Sequence, residues 1–180
     1  MKLKISYVQQ QLIDALLKLL KIYNFDEITI TQLTQEACVA RKTFYLNFKN
    51  KNQVLELYIT EMGNKFNSTL DDKHVSDVKS LAKAFFTYYG RESDFINTLI
   101  KNNKYQIIVD QSAIFIENPI MNKYTSNLYS GEMMSDINKK YLAKYHAAGL
   151  WNLLHLWISL GKKETPLEMS QIYVNILRAK

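Results

Sequence analysis

Residues 38–51, CVARKTFYLNFKNK, carry Arg41, Lys42, Lys49 and Lys51 with no acid among them. The same stretch spaces Val39, Phe44 and Phe48 as a helix spaces its buried side. A segment that anchors through one face while offering cations, a hydroxyl and an amide on the other suits a polyanion. Its neighbours narrow the reading. Upstream, Thr29 caps a short helix with Ile30, Leu33 and Ala37 turned inward, and ACVA makes the turn into a second short helix at about 41–48. Downstream, Asn50 caps a longer helix in which Val54, Leu55, Tyr58, Ile59, Met62 and Phe66 recur to about residue 70. Two short helices joined by a tight turn, the second cationic on its outer face, describe a helix-turn-helix whose second helix fits the major groove.

The residue types suit that task. Arg41 and Lys42 can donate to guanine edges, Asn47 can pair with adenine, and Thr43 can bond a base or phosphate while its methyl meets thymine. Lys49 and Lys51, past the helix end, suit phosphates, together with the amides that open the helix capped by Asn50. Phosphate contacts set register and base contacts set sequence.

The rest of the chain reads as helices, so the expected class is all-α. Ser6 caps a first helix at about 7–23, with Val8, Leu12, Leu16, Leu19 and Leu20 in phase and Asn24 as its left-handed stop. A polar break, DDKH at 71–74, divides a DNA-binding unit (1–50, with 51–70 connecting) from a regulatory and dimerisation unit (71–180). Periodic segments follow at about 76–89, 93–102 and 105–116, punctuated at Gly90 and Asn102-Asn103. A looser region around Asn118-Pro119 and 124–131 precedes helices at about 132–161 and 166–178. The last opens on Thr165-Pro166-Leu167-Glu168, a capping hydroxyl, a first-position proline and a Glu that closes the box.

At 180 residues with 47% hydrophobic and 22% charged residues, two prolines and five glycines, the chain has the composition of a packed fold. Its net charge of +6 favours anionic partners. The first 59 residues hold eight bases against five acids, about double the charge density of the rest. The lone Cys38 excludes an internal disulfide and a cysteine metal cluster, and is expected to be a buried, inert thiol. MKLKISYVQQQLID has no continuous apolar core, so a cytoplasmic protein is expected. The uncharged stretch 145–161, YHAAGLWNLLHLWISLG, is at the lower limit for a membrane span, and His146, Asn152, His155 and Ser159 would each need a partner in lipid; no membrane partner is expected. His146 and His155 lie half a turn out of phase, and the sequence holds no nucleophile with its base and no phosphate-cradling glycine loop. No enzyme, metal or cofactor is expected.

In the helix at 132–161, Leu150, Leu153, Leu154, Trp157 and Gly161 form one stripe; Trp151, His155 and Ile158 form another, roughly opposite. A helix apolar nearly all round needs cover on both sides. A second copy supplies it, giving a homodimer with Leu150, Leu153, Leu154, Trp157, Ile158, Tyr173, Ile176 and Leu177 at the interface and two reading heads for adjacent half-sites.

The run at 28–59, ITITQLTQEACVARKTFYLNFKNKNQVLELYI, resembles the DNA-binding segment of the TetR family of bacterial transcription regulators. The features that carry it are Phe44-Tyr45, Phe48, Lys49-Asn50-Lys51 and the leucine-bearing helix after them, within about residues 6–60. The stretches FFTYYGRESDFINTLIKNN (85–103) and GLWNLLHLWISLGKKETPLEMSQIYVNIL (149–177) resemble the C-terminal domain of such regulators common in Firmicutes. The resemblance implies DNA contacts by Arg41, Lys42, Thr43, Tyr45 and Asn47, by Thr31 and Gln32 at the start of the preceding helix, and by Lys51 at a phosphate. It also implies a small-molecule effector cavity, for which Phe85, Tyr88, Tyr89, Phe95, Phe115, Trp151 and His155 are the candidates. The implied protein is a ligand-responsive homodimeric repressor on a palindromic, double-stranded operator; the alternative is an adaptor or co-activator that kept the fold without binding DNA. Thr34, Cys38 and Ala40 depart from the small residue, the glycine and the Ser or Thr cap usual at those positions, which bears on the rigidity of the reading helix.

Overall fold

The computed structural model describes residues 5–72, 75, 77–116 and 136–178, with the side chains of 71–72, 112–116 and 136–139 outside that description. Ser6 opens α1 (Tyr7–Leu19) through a capping box: its hydroxyl accepts from the Gln9 amide at 3.2 Å, and the Gln9 side chain accepts from the Ser6 amide at 2.9 Å. The helix buries Leu12, Ile13, Ala15, Leu16 and Leu19. It ends short of residue 23, and Asn24 is no left-handed stop: its backbone is extended (φ −65°, ψ 145°) and opens a 3₁₀ turn, Phe25–Glu27. The reason lies at Phe25, whose fully buried ring drags the chain back under the bundle.

Helices α2 (Ile30–Glu36) and α3 (Arg41–Asn47) follow, then α4 (Lys51–Asp72), which packs on α1 at one end and on α5 (Val78–Arg91) and α7 (Tyr105–Ile116) further along. Asp71 and Asp72 of the expected break still belong to α4; Lys73 and His74 lie outside the described residues. Between α5 and α7 runs α6 (Ser93–Lys101), and α8 (Asp136–Ser159) and α9 (Pro166–Arg178) complete the described chain. The expected loose region at 118–131 and the helix start at 132 lie outside it. All regular structure among the described residues is helical, and the fold is all-α.

Gly90 is not punctuation, because α5 runs through it to Arg91. A Cβ there would stand 3.0 Å from Cη2 of Trp157, so this glycine lets α5 approach the indole closely. The Trp157 Nε1–H donates to the Glu164 carbonyl at 3.1 Å, and Lys162 Nζ donates to the Gly90 carbonyl and the Ser93 hydroxyl at 3.0 and 2.6 Å, tying the α8–α9 connection to the α5–α6 corner. The Thr165–Glu168 capping box opens α9, which lies chiefly along α5.

Candidate nucleic-acid interface

Thr29 caps α2, its hydroxyl accepting from the Gln32 amide at 3.1 Å. Thr34 is buried at the crossing of the short helices, and its hydroxyl donates back to the Ile30 and Thr31 carbonyls at 2.9 and 3.1 Å. The larger residue is therefore accommodated with its polar atom satisfied. At the end of α2 the Cys38 amide bonds the Gln35 carbonyl at 3.1 Å and the Val39 amide the Thr34 carbonyl at 3.0 Å, the double closure of a Schellman turn. That closure puts Cys38 in the left-handed region at φ 54°, where glycine is favoured. Its thiol is exposed, contrary to the burial expected of it, because the side chain at this turn position points off the helix end. Ala40 gives α3 no side-chain cap.

Phe44 (0% exposed) and Phe48 seat α3, with ring centroids 5.9 Å apart. Arg41, Lys42, Tyr45 and Leu46 are exposed on the other face, and Lys49 is exposed just beyond the helix end. Tyr45 meets Phe44 edge to face at 5.3 Å, and the Arg41 guanidinium stands 5.8 Å from the Tyr45 ring, so Tyr45 bridges core and surface. Among the described residues the ion pairs are Lys18–Glu36, Lys65–Glu61 and Lys104–Asp26. Arg41, Lys42 and Lys49 are in none of them, and their charge is uncompensated on one surface.

Other expected contacts are placed differently. Thr31 is exposed, but Gln32 is half-buried and its side-chain oxygen accepts from the amide and hydroxyl of Thr29 at 2.8 and 2.9 Å. Thr43 and Asn47 are half-buried, and Asn47 Nδ2 donates to the Thr43 carbonyl at 2.9 Å. The Asn47 amide thus folds back on its own helix rather than outward. Lys51 does not hang free for a phosphate: its Nζ donates to the carbonyls of Phe25, Asp26 and Ile28 at 2.6, 2.9 and 2.7 Å and lies 4.9 Å from the Phe25 ring centroid. All three ammonium hydrogens are used. Burial pushes its pKa below the ordinary lysine value, opposed by the Asp26 carboxylate and reinforced by Lys104.

The same 3₁₀ turn is gripped from the other side. The Phe25 amide donates to Asn102 Oδ1, and Lys104 pairs with Asp26 at 2.9 Å while standing 5.5 Å from the Phe25 ring centroid. Asn102 and Lys104 were not marked by the sequence, since their partners lie almost eighty residues upstream and no local pattern signals them.

Of the expected cavity residues, Phe85, Tyr88, Tyr89 and Trp151 gather with Phe66 into a cluster of rings 4.7–5.9 Å apart. Phe95 stands apart beside Tyr58, and His155 lies against the Tyr105 ring. The Phe115 side chain lies outside the described residues. His146 is 2% exposed, with Nδ1 2.6 Å from the Tyr173 hydroxyl and Nε2 buried and unpartnered among the described residues; burial pushes its pKa down. No group of three His, Cys, Asp or Glu among the described residues is arranged to hold a metal, and no described helix is long and apolar enough to cross a membrane.

The expected dimer residues divide. Leu150, Leu154, Trp157, Ile158 and Tyr173 are buried within the protomer and Leu153 and Leu177 half-buried, whereas Ile176 is exposed. α5, α6 and α7 pack on α8, and Trp157 lies against Phe86 of α5. The stripe that α8 leaves open is Tyr141, Tyr145, Asn152, Leu156 and Leu160, and α9 leaves Ile172 and Ile176 exposed.

Comparison with known proteins adds to this geometry. Residues 76–179 match the family model TetR_C_8, a transcriptional regulator C-terminal region. Three solved structures superpose over nearly the whole chain. The dihydroxyacetone kinase operon activator DhaS does so at 19% identity, covering 96% of this chain and 94% of its own, with a TM-score of 0.61. The fatty acid degradation regulator FadR from Bacillus halodurans does so at 17% identity, with 97% and 96% covered and a TM-score of 0.66. The TetR family repressor AlkX from Dietzia sp., implicated in biodegradation of n-alkanes, does so at 16% identity, with 93% and 94% covered and a TM-score of 0.59. At these identities the shared property is the fold. No curated protein matches the sequence.

Proposed function

Because the chain belongs to the TetR family of transcriptional regulators, we propose that it is a homodimeric repressor whose paired α3 helices read a palindromic operator and whose grip a small-molecule effector releases. The observation that carries the DNA-binding part is the division of α3: Phe44 and Phe48 buried, Arg41, Lys42 and Lys49 exposed outside any ion pair among the described residues. In that reading Arg41, Lys42 and Thr43, at the start of α3, meet base edges; Tyr45, Lys49 and Thr31 meet phosphates; Leu46 lies against thymine methyls. Gln32 and Asn47 contribute through whatever donors their own-helix bonds leave over. Lys51 is left out, since it serves the fold.

The open stripe on α8 and α9 supports the dimer. Large apolar side chains left exposed on both helices, Tyr145, Leu156 and Leu160 on α8 and Ile172 and Ile176 on α9, are what a two-fold, self-complementary four-helix contact covers. Such a dimer holds two heads at a fixed spacing. An effector that binds one arrangement better than the other shifts that spacing, and a dimer seated on a promoter blocks transcription.

A protein-binding adaptor is the second reading, favoured by Leu46, 77% exposed at the middle of the outer face of α3. Fluorescence anisotropy with duplexes from around the chain's own gene separates the two. Lys49 at a phosphate in each protomer neutralises about two phosphates per dimer, which gives a log–log salt slope of about −2. Saturable binding with that slope and a preference over random DNA is the expected result; no preference at any salt concentration removes the operator reading.

A further inference from the structure

Between the end of α1, the middle of α4 and the α5–α6 corner lies a cleft of about 310 Å³, at the lower end of the ~300–1,000 Å³ that small-molecule sites occupy. Its apolar lining comes from Leu17, Leu20, Tyr58 and Phe95, the last two meeting edge to face with centroids 4.9 Å apart. Its charged lining is of both signs: Lys21 and Arg91 against Glu92 and Asp94. None of these four belongs to an ion pair among the described residues. The Tyr58 hydroxyl has no hydrogen-bond partner among the described residues. Burial, then the carboxylates of Glu92, Glu61 and Asp14, push its pKa up to about 12, so it stays a neutral donor.

Opposite charges left unpaired beside an apolar, half-enclosed surface favour a molecule that carries both. A ligand with one charge leaves the other pair facing it uncompensated, and an uncharged ligand compensates neither. From this we infer that the cleft binds a small zwitterion with an apolar body, the chemistry of an apolar amino acid. Its carboxylate faces Lys21, Arg91 and the Tyr58 hydroxyl, its ammonium faces Glu92 and Asp94, and its side chain lies on Tyr58 and Phe95.

The site's position gives it a consequence. Thr98 also lines the cleft, and its carbonyl accepts from Asn102 Nδ2 at 2.7 Å, the same asparagine whose Oδ1 holds the Phe25 amide. An occupant therefore touches α1 and the turn of α6 that grips the 3₁₀ segment. This regulatory consequence rests on the DNA-binding reading above; occupancy of the cleft does not.

Isothermal titration calorimetry on the full chain without DNA tests occupancy, using L-phenylalanine, 3-phenylpropionate and 2-phenylethylamine, which share one apolar body and differ in charge. Saturable 1:1 binding of L-phenylalanine is expected, with each singly charged analogue at least about tenfold weaker. Lys21→Ala and Asp94→Asn, both at exposed positions, should each weaken L-phenylalanine severalfold with the helical circular dichroism unchanged. Absence of saturable heat with L-phenylalanine up to millimolar concentrations, an analogue that binds equally well, or variants that bind as the parent does would each overturn the assignment. With no DNA in the cell, a failure of operator binding leaves the calorimetric result readable.

Discussion

Replacing Lys51 by Met keeps most of the aliphatic stem and removes the charge and all three donors, so it separates a structural lysine from a phosphate-binding one. Hydrogen bonds from a charged donor contribute ~1.5–3 kcal/mol each. The three to the Phe25, Asp26 and Ile28 carbonyls do not add in full, because they share one ammonium that regains no water on folding and because solvent can satisfy the more exposed Asp26 carbonyl after deletion. A net loss of about 3 kcal/mol is expected. With a urea slope of ~2 kcal/mol/M, the unfolding midpoint should fall by roughly 1.5 M. The same variant should leave the salt slope of binding to a random duplex unchanged, whereas a lost phosphate contact in each protomer of a dimer would flatten it by about 1.8. Lys49→Met should do the reverse, flattening the slope and sparing the midpoint. An unmoved midpoint together with a flattened slope in Lys51→Met would refute the assignment and return Lys51 to the DNA.

Leu156→Glu places a charge on the open stripe of α8 and should halve the mass seen by light scattering with the fold intact, whereas Trp157→Asp strikes a residue 4% exposed beneath Gly90 and should unfold the protomer. Cys38→Gly removes a left-handed strain of about 1 kcal/mol and Ala40→Ser adds a cap of about 1 kcal/mol; each should raise the Tm by a few degrees in a thermal melt. Burial lowers the His146 pKa below 6.5, so between that folded value and 6.5 the unfolded chain binds the extra proton. The stability His146 contributes is therefore full above about pH 6.5 and lost as the pH falls below it; urea midpoints on either side should show the decline, and His146→Gln should flatten it.

What could be read in the sequence was local. Phe44 and Phe48 stand one turn apart, and the cations beside them point the other way for the same helical reason, so the seated and open faces of α3 are legible from the eight residues 41–48. The same logic fails on α8, where apolar residues surround the helix and periodicity offers several stripes without saying which one the protomer keeps. That choice belongs to α5, α6 and α7, which pack on α8 with Trp157 against Phe86 of α5, and it moves the open face to Leu156 and Leu160. Gly90 reads as a stop in sequence because its role, clearance for an indole from α8, is visible only once the two helices are paired. Lys51 reads as a surface cation because its partners are 23 to 26 residues upstream.

The 3₁₀ turn and α3 differ in how firmly they are held, and the difference bears on how a DNA-binding head of this design would work. The turn at Phe25 is fixed by Lys51, Asn102 and Lys104 together, from α4 on one side and the α6–α7 connection on the other. The reading helix has no cap at Ala40 and a strained turn at Cys38, together about 2 kcal/mol against it. Burying Phe44 and Phe48 supplies ~1.5–3 kcal/mol each, so burial wins and α3 stays seated, though with a smaller margin than a capped, glycine-turned helix would have. On the proposed DNA-binding reading, the firm turn would carry displacements of the helices after α4 into the whole three-helix unit, while the lightly held α3 would set how much of the contact energy with DNA goes into ordering the reader itself.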